Sequence, residues 1–243
     1  MPPFPSTLQN HLGERLDFTL HRSPDPRAPL AIIGHGVTGH KDRPLLITVA
    51  ETLAAHGITA LRLSFAGNGA SDGRFGESVV TKEVQELGAV IDALGITPVG
   101  YIGHSMGAAV GVLRASEDHR IKFLVSLAGI AHTAAFASRQ FGAVEAGHGW
   151  MWDKPECPLS HAYMDDMKGI GSVVEAARRI RVPWLLVHGS ADELVPPTDS
   201  RDLHQAAPHS TLKEVEGADH RFSDAYGPPV ARDIVQWIKA QLA

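Results

Sequence analysis

The sequence predicts an α/β fold with a mostly parallel central sheet, on three observations. Short apolar runs alternate with longer helical patterns along most of the chain. The runs are aliphatic or β-branched almost throughout, which is how a strand buried on both faces reads. Gly, Pro or Asp bounds each of them, and these residues interrupt regular structure. Strands alternating with helices in this way need right-handed crossovers, so the sheet is expected to be mainly parallel and covered by helices on its faces.

Taken in order, residues 12–20 alternate well enough for an edge strand, and 21–29, with three prolines, form a turn. Buried strands are expected at 30–34, 58–65, 98–102, 121–127, 183–187 and 211–215. Helices are expected at 45–56, 79–94, 106–116, 199–206 and 230–242. In the second helix Val80, Val84, Leu87, Val90, Ile91 and Leu94 recur at three- and four-residue spacing and make one apolar face. Residues 129–181 show no clear strand, and a structureless loop of that length does not suit a compact domain. A helical insertion covering one end of the sheet is expected there, a lid within a single domain spanning 1–243. It holds Phe136, Phe141, Trp150, Met151, Trp152, Tyr163 and Met164, residues whose first role in any fold is packing.

Composition excludes several classes. With 243 residues, 44% hydrophobic and 20% charged, the chain is long enough to bury a core without disulfides or metals. Net charge is 22 − 27 = −5, which lacks the basic footprint of a nucleic-acid binder or of a protein held to an anionic membrane. The lone Cys157 can form no internal disulfide, in keeping with a reducing compartment. Residues 1–6 do not read as a secretory signal, and no apolar stretch approaches the roughly 18–20 residues of a membrane span. A soluble cytoplasmic protein is expected, with its oligomeric state left open.

The sharpest motif is Gly103-His104-Ser105-Met106-Gly107, fed by the strand at 98–102 and leaving into a helix of small residues. A serine on so tight a strand–turn–helix stands clear of the backbone, and side chains two positions to either side would collide. The helix beneath offers backbone N–H groups to a developing negative charge. Such a hydroxyl is a weak nucleophile until a base takes its proton. His220 is the candidate base, between the last strand and the last helix. A single one of the 14 histidines would ordinarily be a surface or packing residue, and only its place in the chain order raises His220 above the rest. Asp192, just past the strand at 183–187, would fix its tautomer, with Glu193 and Asp219 as alternatives. The loop His35-Gly36-Val37-Thr38-Gly39-His40 is rich enough in glycine to turn amides inward, so the Val37 and Met106 N–H groups are the expected oxyanion donors.

Two other readings fail on spacing. His35 and His40 have no compact third ligand and no H-E-x-x-H, so no metal is expected. Gly67-Asn68-Gly69 follows a strand but lacks the G-x-G-x-x-G register and the later acidic residue of a dinucleotide site. No cofactor is expected.

Together, His35-Gly36-Val37-Thr38-Gly39, Gly103-His104-Ser105-Met106-Gly107, His188-Gly189-Ser190-Ala191-Asp192 with Val195-Pro196, and Gly217-Ala218-Asp219-His220 resemble the α/β-hydrolase serine esterases. The resemblance runs from about residue 30 to the end, the insertion excepted. Its nearest branch is the bacterial cinnamoyl/feruloyl esterase-like and monoacylglycerol lipase-like enzymes, whose first loop also reads H-G-x-T-G before a lysine. At the oxyanion-loop position, often aromatic in those esterases, this chain has Val37. The resemblance implies a catalytic triad of Ser105, Asp192 and His220 and cleavage of a small-molecule carboxylic ester. His35, Thr38, Phe136, Phe141, Trp150, Trp152 and Tyr163 are the expected substrate contacts, with an aryl or short to medium acyl group expected. Thioesters, amides or carbon–carbon bonds beside a carbonyl would suit the same triad, and a non-catalytic binding protein on this scaffold is the remaining alternative.

Overall fold

The computed structural model describes residues 4–95 and 99–242. Near the start β1 (Leu8–Gln9) and β2 (Arg15–Leu16) form a short antiparallel ribbon. The main sheet has seven strands: β3 (Phe18–His21), β4 (Leu30–Gly34), β5 (Thr59–Leu63), β6 (Val99–His104), β7 (Ile121–Leu127), β8 (Trp184–Gly189) and β9 (Ser210–Val215). They lie in the order β3-β5-β4-β6-β7-β8-β9, with only β3 antiparallel to its neighbour. The expected α/β architecture and mostly parallel sheet are therefore present. The first residue of the strand expected at 98–102, Pro98, lies outside the described residues.

The edge strand expected at 12–20 is corrected. Leu12 sits in a turn closed by the Asn10 side chain, which accepts from the amides of Leu12 and Glu14. Asp17 then splits the remainder into β2 and β3. Its amide donates to the Ser71 hydroxyl at 2.8 Å and its carbonyl accepts from the Ser64 amide at 2.8 Å, so it leaves the ladder.

Helices α1 (Pro44–Ala55) and α8 (Gly227–Leu242) cover one face of the sheet. They bury Leu46, Val49, Leu53, Ile234 and Ile238 against Ala31, Ile33, Ile102 and Val125. On the other face α2 (Val80–Leu94) and α3 (Met106–Ala115) pack Leu87, Ile91 and Val110 on Ile32, Tyr101 and Leu124. Ile32 and Ile33 thus go to opposite layers, the two-residue alternation that lets one strand serve two cores. Proline as the first residue of α1 and left-handed Gly95 after α2 end these helices in the usual way.

The segment 129–181 holds α4 (Thr133–Phe141), α5 (His161–Ile170) and α6 (Val174–Ala177). Its apolar residues Phe136, Phe141, Leu159, Tyr163 and Met167 continue the core beneath α2 and α3. Asp199, in α7 (Pro197–Ala206), accepts from the amides of Ala131 and His132 and so ties the start of the insertion to the sheet's rim.

Chain order places the site. From β4 the chain crosses outward to β5, then back past β4 to β6, so β4 and β6 are neighbours whose following loops diverge. Ligand sites in such sheets form at this switch point, beyond the strands' C-terminal ends.

Candidate active site

Ser105 follows the last residue of β6 and precedes the first of α3, with φ 57° and ψ −118°. This backbone region strains a side-chain-bearing residue by about 1–3 kcal/mol, so the surroundings must enforce it. They do so by close packing. A Cβ at Gly103 would lie 2.3 Å from the Gly107 carbonyl oxygen, and one at Gly107 would lie 2.4 Å from that of His35. Only glycine fits on either side of the turn, and Ser105, 3% exposed, is held at its apex.

Beside it opens a cavity of about 800 Å³. Its wall includes Gly36, Val37 and Thr38 from the loop after β4, Ser105, Phe136 and Trp152 from the insertion, Leu194, and His220. His220 follows β9, and its ring Nδ1 lies 2.7 Å from an Asp192 carboxylate oxygen. Asp192 follows β8 and is buried behind the imidazole. Burial alone would raise its carboxyl, but hydrogen bonds from His188 and His220 outweigh that and hold it well below the usual carboxylate range. The ionised carboxylate can only accept, so Nδ1 of His220 carries its hydrogen and Nε2 is left as the acceptor. Ser105 and His220 border the same cavity without a hydrogen bond between their side chains. Catalytic bonds of this kind are commonly long until substrate closes them.

Two further histidines brace this arrangement, and sequence reasoning gave neither of them that role. His188, fully buried, accepts from the Ser200 hydroxyl at Nδ1 (2.6 Å) and turns Nε2 toward the Val195 carbonyl (3.0 Å) and Asp192 (3.2 Å). The Asp192 carboxylate also accepts from the amides of Leu194 and Val195. His104 donates from Nε2 to the His220 carbonyl at 2.9 Å, and the two rings lie 4.9 Å apart. Burial and the neighbouring His220 push its pKa down to about 3.

The expected oxyanion donors differ in placement. Val37 lines the cavity, whereas the Met106 side chain is buried in the core, its amide following Ser105 as the first of α3. Neither amide finds an acceptor among the described residues. A Cβ on Gly36 would fall 2.7 Å from Ser105 Cβ and 3.2 Å from its Oγ, which brings this loop against the serine.

Of the expected substrate contacts, Thr38, Phe136 and Trp152 line the cavity. Four do not and are corrected. His35 is buried beneath the loop. Its Nδ1 donates to the Gly36 carbonyl (2.9 Å) and its Nε2 accepts the Phe65 amide (3.1 Å), so it shapes the loop and cannot reach a ligand. Burial pushes its pKa down to about 4. Phe141 and Tyr163 are buried in the insertion's aromatic core, where Phe141 meets Phe136, Trp152 and Tyr163 at 6.2, 4.9 and 5.9 Å between ring centroids. Trp150 is 47% exposed and pairs with Pro158 on the surface. Arg43, Lys154 and Arg221 line the cavity without having been expected there. No local pattern marks them, since they come from three separate segments.

Among the described residues no three His, Cys, Asp or Glu side chains gather as a metal ion would need, and no helix is long and apolar enough to cross a membrane.

Comparison with known proteins follows the same lines. The alpha/beta hydrolase fold model matches residues 29–155, and the model for serine aminopeptidases of the S33 group matches 156–223. Among solved structures, Est1E from Butyrivibrio proteoclasticus with ferulic acid bound superposes with a TM-score of 0.85 at 26% identity, over 98% of this chain and 99% of that one. An esterase domain from a Rhodothermus marinus protein gives 0.78 at 22% identity, over 98% of each chain. A monoacylglycerol lipase from Paleococcus ferrophilus gives 0.72 at 21%, over 93% of this chain and 99% of that one. No curated protein matches significantly. With one model spanning more than half of its residues, and a parallel sheet ending in this serine turn, the chain belongs to the alpha/beta hydrolase fold family.

Proposed function

We propose that the chain hydrolyses carboxylic esters through an acyl-enzyme on Ser105. The observation that carries this reading is the 2.7 Å hydrogen bond between Asp192 and His220 Nδ1, which leaves the other ring nitrogen free on the cavity that Ser105 also borders. In the first step His220 Nε2 takes the Ser105 proton as Oγ attacks the acyl carbon. Asp192 holds the imidazole in the required tautomer and stabilises the imidazolium. The Val37 and Met106 amides receive the oxyanion, and His220 returns the proton to the leaving alcohol. Water then repeats the sequence against the acyl-enzyme and frees the acid. No cofactor takes part.

Phe136, Trp152 and Phe222 give the wall three aromatic residues, which suits an aryl or medium-length acyl group. Similarity to Est1E, solved with ferulic acid bound, supports the same substrate size. The match of 156–223 to the serine aminopeptidase model makes amide cleavage the second reading. A panel of aryl and alkyl esters, thioesters and amides assayed on wild type and Ser105→Ala separates the two. The ester reading expects turnover of esters that falls by about 10⁴-fold or more in the variant. Faster turnover of amides, equally lost in the variant, would favour the peptidase reading.

A further inference from the structure

Arg43, Lys154 and Arg221 come together on the cavity wall from three separate places: the residue before α1, the insertion, and the loop after His220. Asp224 is the one carboxylate on that wall, so cations outnumber it three to one. Several cations elsewhere on the chain are paired. Lys41 and Arg62 meet Asp42, Arg114 and Arg120 meet Asp118, and Arg201 meets Glu214. None of the three cavity cations makes an ion pair among the described residues.

Arg43 is the most firmly placed. Its Nη2 donates to the Thr38 carbonyl at 2.5 Å, and Thr38 lies two residues beyond Gly36, the residue packed against Ser105. One guanidinium N–H is used in this tether and four of the five remain. Its charge also reaches His104, where it adds to the effects of burial and His220 in disfavouring the protonated ring. Burial raises the Cys157 thiol, and the charges of Lys154 and Arg43 both act to lower it. Both are partly buried, so each gives up hydration with no acidic partner in return.

We propose that the ester cleaved here carries a free carboxylate away from the scissile bond, and that Arg43 and Lys154 receive it. This rests on the ester-hydrolase reading. The planar guanidinium fork suits a carboxylate held by two parallel hydrogen bonds, and Lys154 adds a point charge. Hydrolysis itself is unaltered: water supplies hydroxyl to the acyl carbon and a proton to the leaving alcohol, and the remote carboxylate takes no part. Arg221 is exposed and contributes to the field at the cavity mouth.

The test compares monoethyl esters of α,ω-dicarboxylic acids, and acetyl esters of ω-hydroxy acids, each with the uncharged carboxamide of the same shape. In at least one series the carboxylate is expected to exceed its carboxamide in kcat/KM by about tenfold or more. Lys154→Gln, which disturbs no hydrogen bond of the oxyanion loop, should narrow that ratio, Arg43→Gln should abolish it, and added salt should reduce it. Carboxamides turned over as well as carboxylates by wild type, or a preference that survives both substitutions, would overturn the proposal alone, provided the turnover is lost in Ser105→Ala. Failure to cleave these esters while other aryl or alkyl esters are turned over would overturn the proposal alone, and failure with every ester would overturn the ester-hydrolase reading with it.

Discussion

His104, the residue before Ser105, donates its ring N–H to the backbone carbonyl of His220 across 2.9 Å. The serine turn is thereby fastened to the loop that carries His220. Loops after β6 and β9 belong to strands three apart in the sheet, and this bond joins them directly. His104→Leu is expected to lower kcat about tenfold with little change in KM, because one hydrogen bond of about 1 kcal/mol and its alignment are lost. His104→Gln, which can still donate, should retain more of the rate. Steady-state kinetics on the two variants checks this, and equal losses in kcat and affinity would count against a positioning role.

Asp192 is held ionised by donors on several sides, His188 and His220 among them. Asp192→Asn keeps the volume but can donate to His220 Nδ1, which favours the wrong tautomer. A loss of roughly 10³–10⁴ in kcat at neutral pH is expected, with the thermal midpoint changed far less than the activity. Calorimetry and turnover measured on one preparation separate the two effects.

Gly36 packs against Ser105, and a methyl group there would intrude to 2.7 Å from Ser105 Cβ. Gly36→Ala should therefore reduce turnover by more than about 10²-fold, since small displacements at the reacting atoms are costly. Circular dichroism should show the fold intact.

His35 gives a pH dependence. Its pKa falls from the ordinary 6.5 to about 4 on folding, so between those values the unfolded chain binds the extra proton and the folded chain does not. Stability from this group is fully present above about pH 6.5 and is lost as pH falls toward 4. The shift corresponds to something on the order of 3 kcal/mol. Thermal midpoints taken from pH 7 to pH 4 should decline less steeply in His35→Gln than in wild type, although the variant starts lower for want of its two buried hydrogen bonds.

The insertion divides its aromatic residues between two tasks. Phe141→Ala should cost about 3–5 kcal/mol of stability, because a fully buried ring that meets three other aromatic residues is removed. Trp150→Ala, at an exposed site, should change neither stability nor kinetics appreciably. Trp152→Ala should raise KM for aryl esters more than for acetyl esters, as its side chain lines the cavity.

The strands and the serine turn were legible in the sequence because physics writes them locally. Ile32 and Ile33 feed two opposite cores, so β4 must be apolar along its length, and Gly103 is required by contacts with Gly107 and Ala108, within a few residues of Ser105. The chain order Ser105, Asp192, His220 pointed to one rim because each follows a strand of the same parallel sheet. What could not be read was set by side-chain direction. An aromatic residue in a helical insertion scores alike whether its ring faces the core, as Phe141 does, or the cavity, as Trp152 does. Asp17 broke the first strand through partners at Ser64 and Ser71, some fifty residues away. The cationic wall arises from Arg43, Lys154 and Arg221, which only the folded chain brings together.

The most direct measurement is the mass of the intact protein after exposure to a fluorophosphonate, followed by peptide mapping. A serine made nucleophilic by His220 should take one phosphonyl group, mapped to Ser105, and His220→Ala should label far more slowly. Ester hydrolysis that persists with Ser105 unlabelled, or an adduct mapped to another residue, would contradict the account.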